Sequence, residues 1–284
     1  MNSTLFSPTL TVDREGYQLQ VKVDGQGTPL LIIGSAHYYD RAIPQTLRQH
    51  FQCIFIDHRG FASSNHPPKA NDISLKIISE DIEYIRQKLG INQAMIMGHS
   101  GHAYMALDYA KRYPAHITKV VLCGASPNLS PDSHQAAERY WESNADELRK
   151  TQFETDIGQL GSDIQSDPER KFIHICCRLR ARRWADHAYD ESWLWQGLTA
   201  HSALFDKMWG DVFANIDIEQ YTSAIEVPVL ILMGQKDFSI ARPSEWLSLS
   251  RPFARQTLHI FEQSGHTPPL EEPERFTQIL RAWA

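Results

Sequence analysis

The sequence predicts an α/β fold, in which a mostly parallel sheet carries helices on both faces and one helical segment is inserted between two strands. Short apolar runs recur between helical patterns along much of the chain, which is the order of a parallel sheet with crossover helices. This alternation stops near residue 130 and resumes near residue 223. With 284 residues, of which 42% are apolar and 22% charged, one large core is feasible.

The strands are predicted from apolar runs that lack polar alternation, so we expect them to be buried on both faces. They cover residues 30–33, 53–56, 94–97, 120–123 and 229–233, and a last strand covers 257–261. The earlier segment Tyr17–Val23 alternates polar and apolar residues instead. That pattern predicts a half-exposed antiparallel strand at the edge of the sheet.

The helices are predicted from apolar residues at helical spacing. Residues 78–89 place Ile78, Ile82, Ile85 and Leu89 on one face, and further helices are expected over 103–112 and 273–283. Between residues 131 and 222 the sequence reads as amphipathic helices rich in tryptophan. We therefore expect a discontinuous core, 1–130 with 223–284, and a helical insertion over 131–222.

Composition and charge exclude several classes of partner. The chain has 28 basic and 34 acidic residues and a net charge of -6, so it lacks the basic excess that binds nucleic acid. No apolar run reaches the ~18 residues of a membrane span. The cysteines, at positions 53, 123, 176 and 177, suggest neither a disulfide framework nor a zinc site. With no secretory signal in the opening residues, we expect a cytoplasmic protein that acts on a small molecule; its oligomeric state stays open.

A candidate nucleophile follows the third buried strand. The segment 98–102 reads Gly-His-Ser-Gly-His, and a predicted helix begins at once. A serine on so sharp a strand-to-helix turn projects its hydroxyl above the edge of the sheet. Ser100 is therefore the candidate nucleophile, and the N–H of Gly101 can donate to an oxyanion.

A base and an acid for this serine follow two later strands. Asp237 comes shortly after strand 229–233, and His266 comes shortly after the last strand. A serine hydroxyl needs a histidine base that is oriented by a carboxylate, and the chain order of serine, aspartate and histidine suits an open parallel sheet. Asp211 and Asp217 lie too far upstream of their strand to compete well for the acid role, although Asp237 is also a plausible turn residue.

Five short segments together resemble one known family: Gly98–Ser100, Asp57–Phe61, Gly234–Asp237, Gly265–Pro268 and Glu272–Glu274. The chain resembles the α/β-hydrolase fold family, in the capped branch that includes prolyl iminopeptidases and related ester and lactone hydrolases. The resemblance implies that residues 131–222 form a cap. It also implies a second oxyanion donor at the N–H of Ser35, or less favourably of Ala36, and no cofactor.

Three positions depart from the pattern of that family. Ile33 replaces the usual histidine before Gly34, His102 replaces the last glycine of the elbow, and Ala62 replaces a glycine. An imidazole at position 102 either crowds the helix or adds a polar group beside the cleft. These departures keep open a non-catalytic, ligand-binding protein of the same fold.

Several further residues invite a role. His37, His99 and His102 suggest a metal site, but their spacing is poor for one and no metal is expected. The arginines at 178, 180, 182 and 183 read as a solvated face of the insertion.

The substrate pocket is predicted from His37, His102, Trp195, Gln196 and Trp209. Prolyl iminopeptidases resemble one another in using glutamates of the cap to bind the amine of the substrate. The segment most similar to such a site carries Gln196 here, and Glu142 is the remaining candidate. We therefore expect a serine hydrolase for a small ester, lactone or amide, with an aminopeptidase as the alternative.

Overall fold

A computed structural model describes residues 9–284, and within them nine strands form one sheet. Residues 1–8, on which the prediction of no secretory signal depends, lie outside the described residues. The strands are β1 (Thr9–Arg14), β2 (Tyr17–Asp24), β3 (Thr28–Gly34), β4 (Phe51–Asp57), β5 (Ser63–Ser64), β6 (Ala94–His99), β7 (Ile117–Cys123), β8 (Val229–Gly234) and β9 (Gln256–Phe261). Their order across the sheet is β1-β2-β4-β3-β6-β7-β8-β9, and β5 pairs with β2.

The sheet is parallel from β4 to β9 and antiparallel at the side of β1 and β2. The predicted strands at 30–33, 53–56, 94–97, 120–123, 229–233 and 257–261 are all present. The prediction that Tyr17–Val23 forms the edge is wrong, because β1 pairs outside it. Only Val12 of β1 is buried, so the segment has no apolar run that would have revealed a strand.

The helices are α1 (Ala36–Ala42), α2 (Leu75–Lys88), α3 (His102–Arg112), α4 (Pro131–Asn144), α5 (Glu147–Ser166), α6 (Lys171–Arg178), α7 (Arg180–Arg183), α8 (Ser202–Lys207), α9 (Glu219–Thr222), α10 (Pro268–Glu271) and α11 (Pro273–Trp283). Two hydrophobic cores lie on opposite faces of the sheet. Leu31 and Ile33 belong to one, and Leu30 and Ile32 belong to the other. The strand periodicity of two thus places alternate residues in alternate cores, which confirms burial on both faces.

The helices α4 to α9 all lie between β7 and β8, and we call them the inserted helices. The carboxyl end of α7 is hydrogen-bonded to two loops of the sheet. The Arg182 carbonyl accepts the N–H of Phe238 at 2.8 Å, and the Arg183 carbonyl accepts the N–H of His266 at 2.5 Å. These two bonds attach the inserted helices to the loops after β8 and β9. Of the described helices, none is both long and apolar enough to cross a membrane.

The predicted solvated face of arginines is wrong for Arg183, which is only 6% exposed. Its side chain lies in the interior instead, where it lines a cavity with Tyr38 and Cys176 and lies 3.2 Å from Glu191. The other three arginines form ion pairs on the inserted helices: Arg178 with Asp163 at 2.6 Å, Arg180 with Asp156 at 2.7 Å, and Arg182 with Glu138 at 2.7 Å.

Candidate active site

The backbone at Ser100 has the strained geometry of the predicted turn. Strand β6 ends at His99, Ser100 has a φ of 57°, and α3 begins at His102. A positive φ is unfavourable for a residue with a side chain, so the surrounding structure must hold it. The Ser100 N–H donates to the Cys123 carbonyl at 2.8 Å. At Gly98 a Cβ would lie 2.2 Å from the His102 carbonyl oxygen, so the turn needs glycine there.

Asp237 and His266 form a buried pair. His266 Nδ1 lies 2.6 Å from Asp237 Oδ2, and the two residues are 4% and 2% exposed. The other carboxylate oxygen accepts the Ser239 hydroxyl at 2.6 Å and the Ser239 N–H at 3.0 Å. The carboxylate thus holds the proton of a neutral His266 on Nδ1 and leaves Nε2 unprotonated. Ser239 was not anticipated from the sequence, although a serine two residues after an aspartate is typical of such a turn.

A cavity of about 310 Å³ joins these groups. Ser100 and His266 both line it, as do Ser35 and Gly101. Much of the remaining wall is apolar, with Leu129, Phe172, Ile175, Leu179, Trp195 and Trp209 among its residues. The inserted helices supply most of this apolar surface.

Two backbone N–H groups at the cavity are available to a ligand. Among residues 9–284, the N–H groups of Gly101 and Ser35 have no acceptor in the protein. The N–H of Ala36 donates instead to Asp57 Oδ1 at 2.6 Å. Burial raises the pKa of Asp57 to about 7, while the N–H groups of Ala36 and Gln20 oppose that rise. Of the two donors considered for this loop, only Ser35 is free.

The structure separates the five predicted pocket residues into two groups. His102, Trp195 and Trp209 line the cavity, but His37 and Gln196 are exposed and outside it. The prediction for His37 is wrong because α1 turns the next residue inward, so that Tyr38 lines the cavity and His37 faces solvent. Gln196 directly follows a short 3₁₀ turn that buries Trp195. The side chain of Gln196 itself is exposed to solvent.

His102 belongs to a buried chain of hydrogen bonds formed by His58, His102, Tyr39 and His99, which we call the histidine chain. At one end His58 Nδ1 accepts the Gly60 N–H at 3.0 Å. A neutral His58 therefore carries its proton on Nε2 and donates it to His102 Nε2 at 3.2 Å. His102 in turn carries its proton on Nδ1, which lies 2.8 Å from Tyr39 Oη.

The hydrogen bonds at the other end of the histidine chain require the same direction of proton donation. His99 Nε2 lies 2.8 Å from the His266 carbonyl oxygen and must donate to it. His99 Nδ1 then accepts the Tyr39 hydroxyl at 3.2 Å. Every donor meets an acceptor when all three imidazoles are neutral. The histidine at position 102 thus supplies a polar link from the loop after β4 to the backbone of His266.

Burial keeps the histidines of this chain neutral. It lowers the pKa of His58 to about 3. Burial, together with the neighbouring imidazoles, also lowers the pKa values of His99 and His102 well below the ordinary value.

Within residues 9–284, no three histidine, cysteine or acidic side chains are grouped in a way that could hold a metal ion.

Comparison with known proteins shows that the resemblance to the family covers nearly the whole chain. The family model described as "alpha/beta hydrolase fold" matches residues 32–273. The chain is also 39% identical over 269 residues to the AB hydrolase superfamily protein YclE of Bacillus subtilis, covering 95% of this chain and 96% of that protein. The chain belongs to the α/β-hydrolase fold family. This membership confirms the resemblance and supports hydrolytic chemistry.

More distant members show the range of the family. A proline iminopeptidase of Heyndrickxia coagulans is 24% identical, with 90% of each chain covered. An α/β fold family hydrolase from Bacillus anthracis superposes with a TM-score of 0.70 at 19% identity, covering 97% of this chain and 99% of that one. An esterase from Exiguobacterium antarcticum superposes with a TM-score of 0.67 at 20% identity, covering 98% and 99%. These two structures share the fold.

Proposed function

We propose that the chain is a serine hydrolase that cleaves a small ester through an acyl-enzyme on Ser100. The observation that carries this proposal is the buried 2.6 Å pair of Asp237 and His266, of which His266 lines the same cavity as Ser100 at its strained turn. A non-catalytic binding protein has no need for an imidazole that is oriented by a buried carboxylate in a cavity that a serine also lines. The departures at positions 33, 62 and 102 leave these groups in place.

The proposed reaction has two halves. His266 Nε2 takes the proton of Ser100 as its Oγ attacks the ester carbonyl, and the N–H groups of Gly101 and Ser35 donate to the resulting oxyanion. The C–O bond to the alcohol then breaks, and His266 returns the proton to the leaving alcohol. In the second half a water molecule, with His266 as its base, attacks the acyl-enzyme; the bond from the acyl carbon to Ser100 Oγ breaks, His266 returns the proton to Ser100, and the acid is released. Asp237 stabilises the imidazolium in both halves.

The walls of the cavity favour a substrate without a free amine. Binding an ammonium in such a cavity requires a carboxylate partner, yet no aspartate or glutamate lines it within residues 9–284. Glu142 is exposed and pairs with Lys150 at 2.8 Å. Glu191 is buried but pairs with Arg183 at 3.2 Å. We therefore prefer an ester, lactone or thioester over an amino-terminal peptide, although proline iminopeptidases are among the relatives.

A fluorophosphonate probe tests the proposal, because it phosphonylates only an activated hydroxyl quickly, with loss of fluoride. We expect labelling of the wild-type protein and hydrolysis of short-chain p-nitrophenyl esters, with both lost in Ser100→Ala. Ser126→Ala is the matched control, since Ser126 lines the same cavity but accepts the Ala241 N–H at 3.0 Å. A wild-type protein that neither labels nor turns over esters would favour the non-catalytic binding protein.

A further inference from the structure

Arg183 places a buried guanidinium in the wall of the catalytic cavity. The residue is 6% exposed and lines the cavity together with Tyr38 and Cys176. Neither Nε nor Nη1 of this guanidinium has a hydrogen-bond acceptor within the described residues, although both atoms are buried. Buried N–H donors of a charged group without acceptors are costly, so this arrangement calls for an explanation.

Glu191 balances the charge of Arg183 without satisfying its N–H groups. Its Oε1 lies 3.2 Å from Arg183 Nη1, at an angle that makes no hydrogen bond. The two carboxylate oxygens accept the indole N–H groups of Trp184 and Trp195, each at 3.1 Å. Burial lowers the pKa of Arg183, but the Glu191 carboxylate, together with Cys176, Tyr38 and Cys177, raises that pKa overall. The guanidinium therefore carries a positive charge, which the Glu191 carboxylate balances, while its Nε–H and Nη1–H groups remain without acceptors.

Tyr38 adds a second unused donor at the same wall. Its Oη is buried and makes no hydrogen bond of normal geometry, although the Thr267 hydroxyl, also without one, lies near it. Its ring packs on Trp195 with 4.5 Å between the ring centroids. Burial raises the pKa of Tyr38 far above its ordinary value, so the hydroxyl keeps its proton. Tyr38 and Arg183 each contribute to the pKa shift of the other, which places the two groups within electrostatic range.

We propose that Arg183 and Tyr38 bind an oxygen acceptor on the substrate, a ketone or carboxylate oxygen separate from the ester that is cleaved. The identity of the cleaved bond rests on the proposed function, but the binding of the acceptor does not. Donors without acceptors in a largely apolar cavity discriminate strongly, because a ligand that lacks the oxygen leaves them unpaired. The substrate class is thus a small ester of an oxo acid or a half-ester of a dicarboxylic acid.

The first experiment measures binding without catalysis. Ser100→Ala protein is titrated calorimetrically with methyl 4-oxopentanoate and with monomethyl adipate, each against the methyl ester of the unsubstituted acid of equal chain length. We expect the acceptor-bearing ligand of at least one pair to bind about 10-fold more tightly. Preference for the ketone or for the carboxylate identifies the acceptor. No preference in either pair overturns the proposal and assigns the unused donors to water alone.

The second experiment assigns the preference to residues. Tyr38→Phe, made in the Ser100→Ala background, removes only the unpartnered hydroxyl, so a purely structural tyrosine predicts equal or higher stability and unchanged binding. We expect instead a loss of about 3-fold or more in the acceptor preference. Tyr104→Phe is the matched control, because Tyr104 lines the cavity but donates its hydroxyl to the Ser126 carbonyl at 2.8 Å.

Arg183→Lys keeps the charge beside Glu191 and removes the planar pair of N–H donors. We expect the preference to fall further than in Tyr38→Phe. A preference that survives both substitutions overturns the proposal. If the wild-type protein hydrolyses no ester while the Ser100→Ala protein still binds the acceptor ligands, the proposed reaction fails and the binding site stands.

Discussion

Acidification should destabilise this protein through the histidine chain. His58 has a pKa of about 3 in the folded protein against an ordinary 6.5, and burial lowers the pKa values of His99 and His102 in the same direction. Once unfolded, each imidazole binds a proton as the pH falls through about 6.5, whereas the folded protein does not. The unfolded state then holds more protons, so the free energy of unfolding falls as the pH drops.

The magnitude follows from proton counting. Each histidine that is neutral only in the folded state contributes about 1.4 kcal/mol per pH unit below its ordinary pKa. Asp57 acts in the opposite direction, because burial raises its pKa from 3.8 to about 7 and the folded protein binds its proton first. Three histidines against one aspartate leave a difference of about two protons. Between pH 6.5 and 4.5 these four groups should therefore lower the free energy of unfolding by about 5 kcal/mol, a large part of a typical domain stability.

Urea unfolding at several pH values between 7 and 4.5 measures this slope. His102→Phe replaces one member of the chain with a ring of similar size, and we expect its slope to be smaller than that of the wild type by about 1.4 kcal/mol per pH unit. His134→Gln changes an exposed histidine outside the chain and should leave the slope as it is. Equal slopes for His102→Phe and the wild type would refute the assignment of neutral, buried imidazoles.

Three further outcomes test the site and its support. Asp237→Asn should lower kcat for p-nitrophenyl butyrate by about 10³-fold, because the imidazole of His266 loses the acceptor that fixes its proton; a near-normal rate would place the acid elsewhere. Gly265→Ala should lower the free energy of unfolding by about 1–3 kcal/mol in urea titrations, since its Cβ would lie 2.1 Å from the Arg183 carbonyl oxygen. Gly161→Ala, with no neighbouring atom within 4 Å, is the control. Proline p-nitroanilide should be hydrolysed little by the wild-type protein in a colorimetric assay, and efficient cleavage would restore the aminopeptidase.

The central strands β3, β4, β6, β7 and β8 could be predicted because each contains an apolar run that is buried on both faces. The turn at Ser100 and the later aspartate and histidine follow the same logic, since they lie at strand ends that a parallel sheet brings to one edge. Strand β1 could not be predicted in this way. Its residues are mostly exposed, and its position depends on pairing with β2 and not on its own composition.

The walls of the cavity were less accessible to prediction because they depend on the direction of single side chains. The run of four arginines suggests solvent, yet one turn of helix buries Arg183 and leaves the other three partly exposed. Tyr38 and His37 are neighbours in sequence, and only the start of α1 decides which of them faces the cavity. The local composition is the same whether residue 37 or residue 38 faces the cavity, and only the tertiary packing distinguishes the two arrangements.

The two hydrogen bonds from the end of α7 bear on how specificity in such a protein can be redesigned. Grafting a foreign insertion between β7 and β8 is an obvious way to exchange one set of pocket walls for another. Here the graft would also remove the carbonyls that accept the N–H groups of Phe238 and His266. Two loops that carry the candidate acid and base would lose an anchor together with the old pocket. A chimaera that retains residues 180–183 and exchanges the helices on either side would keep both anchors, but it would also keep Arg183 in the cavity wall.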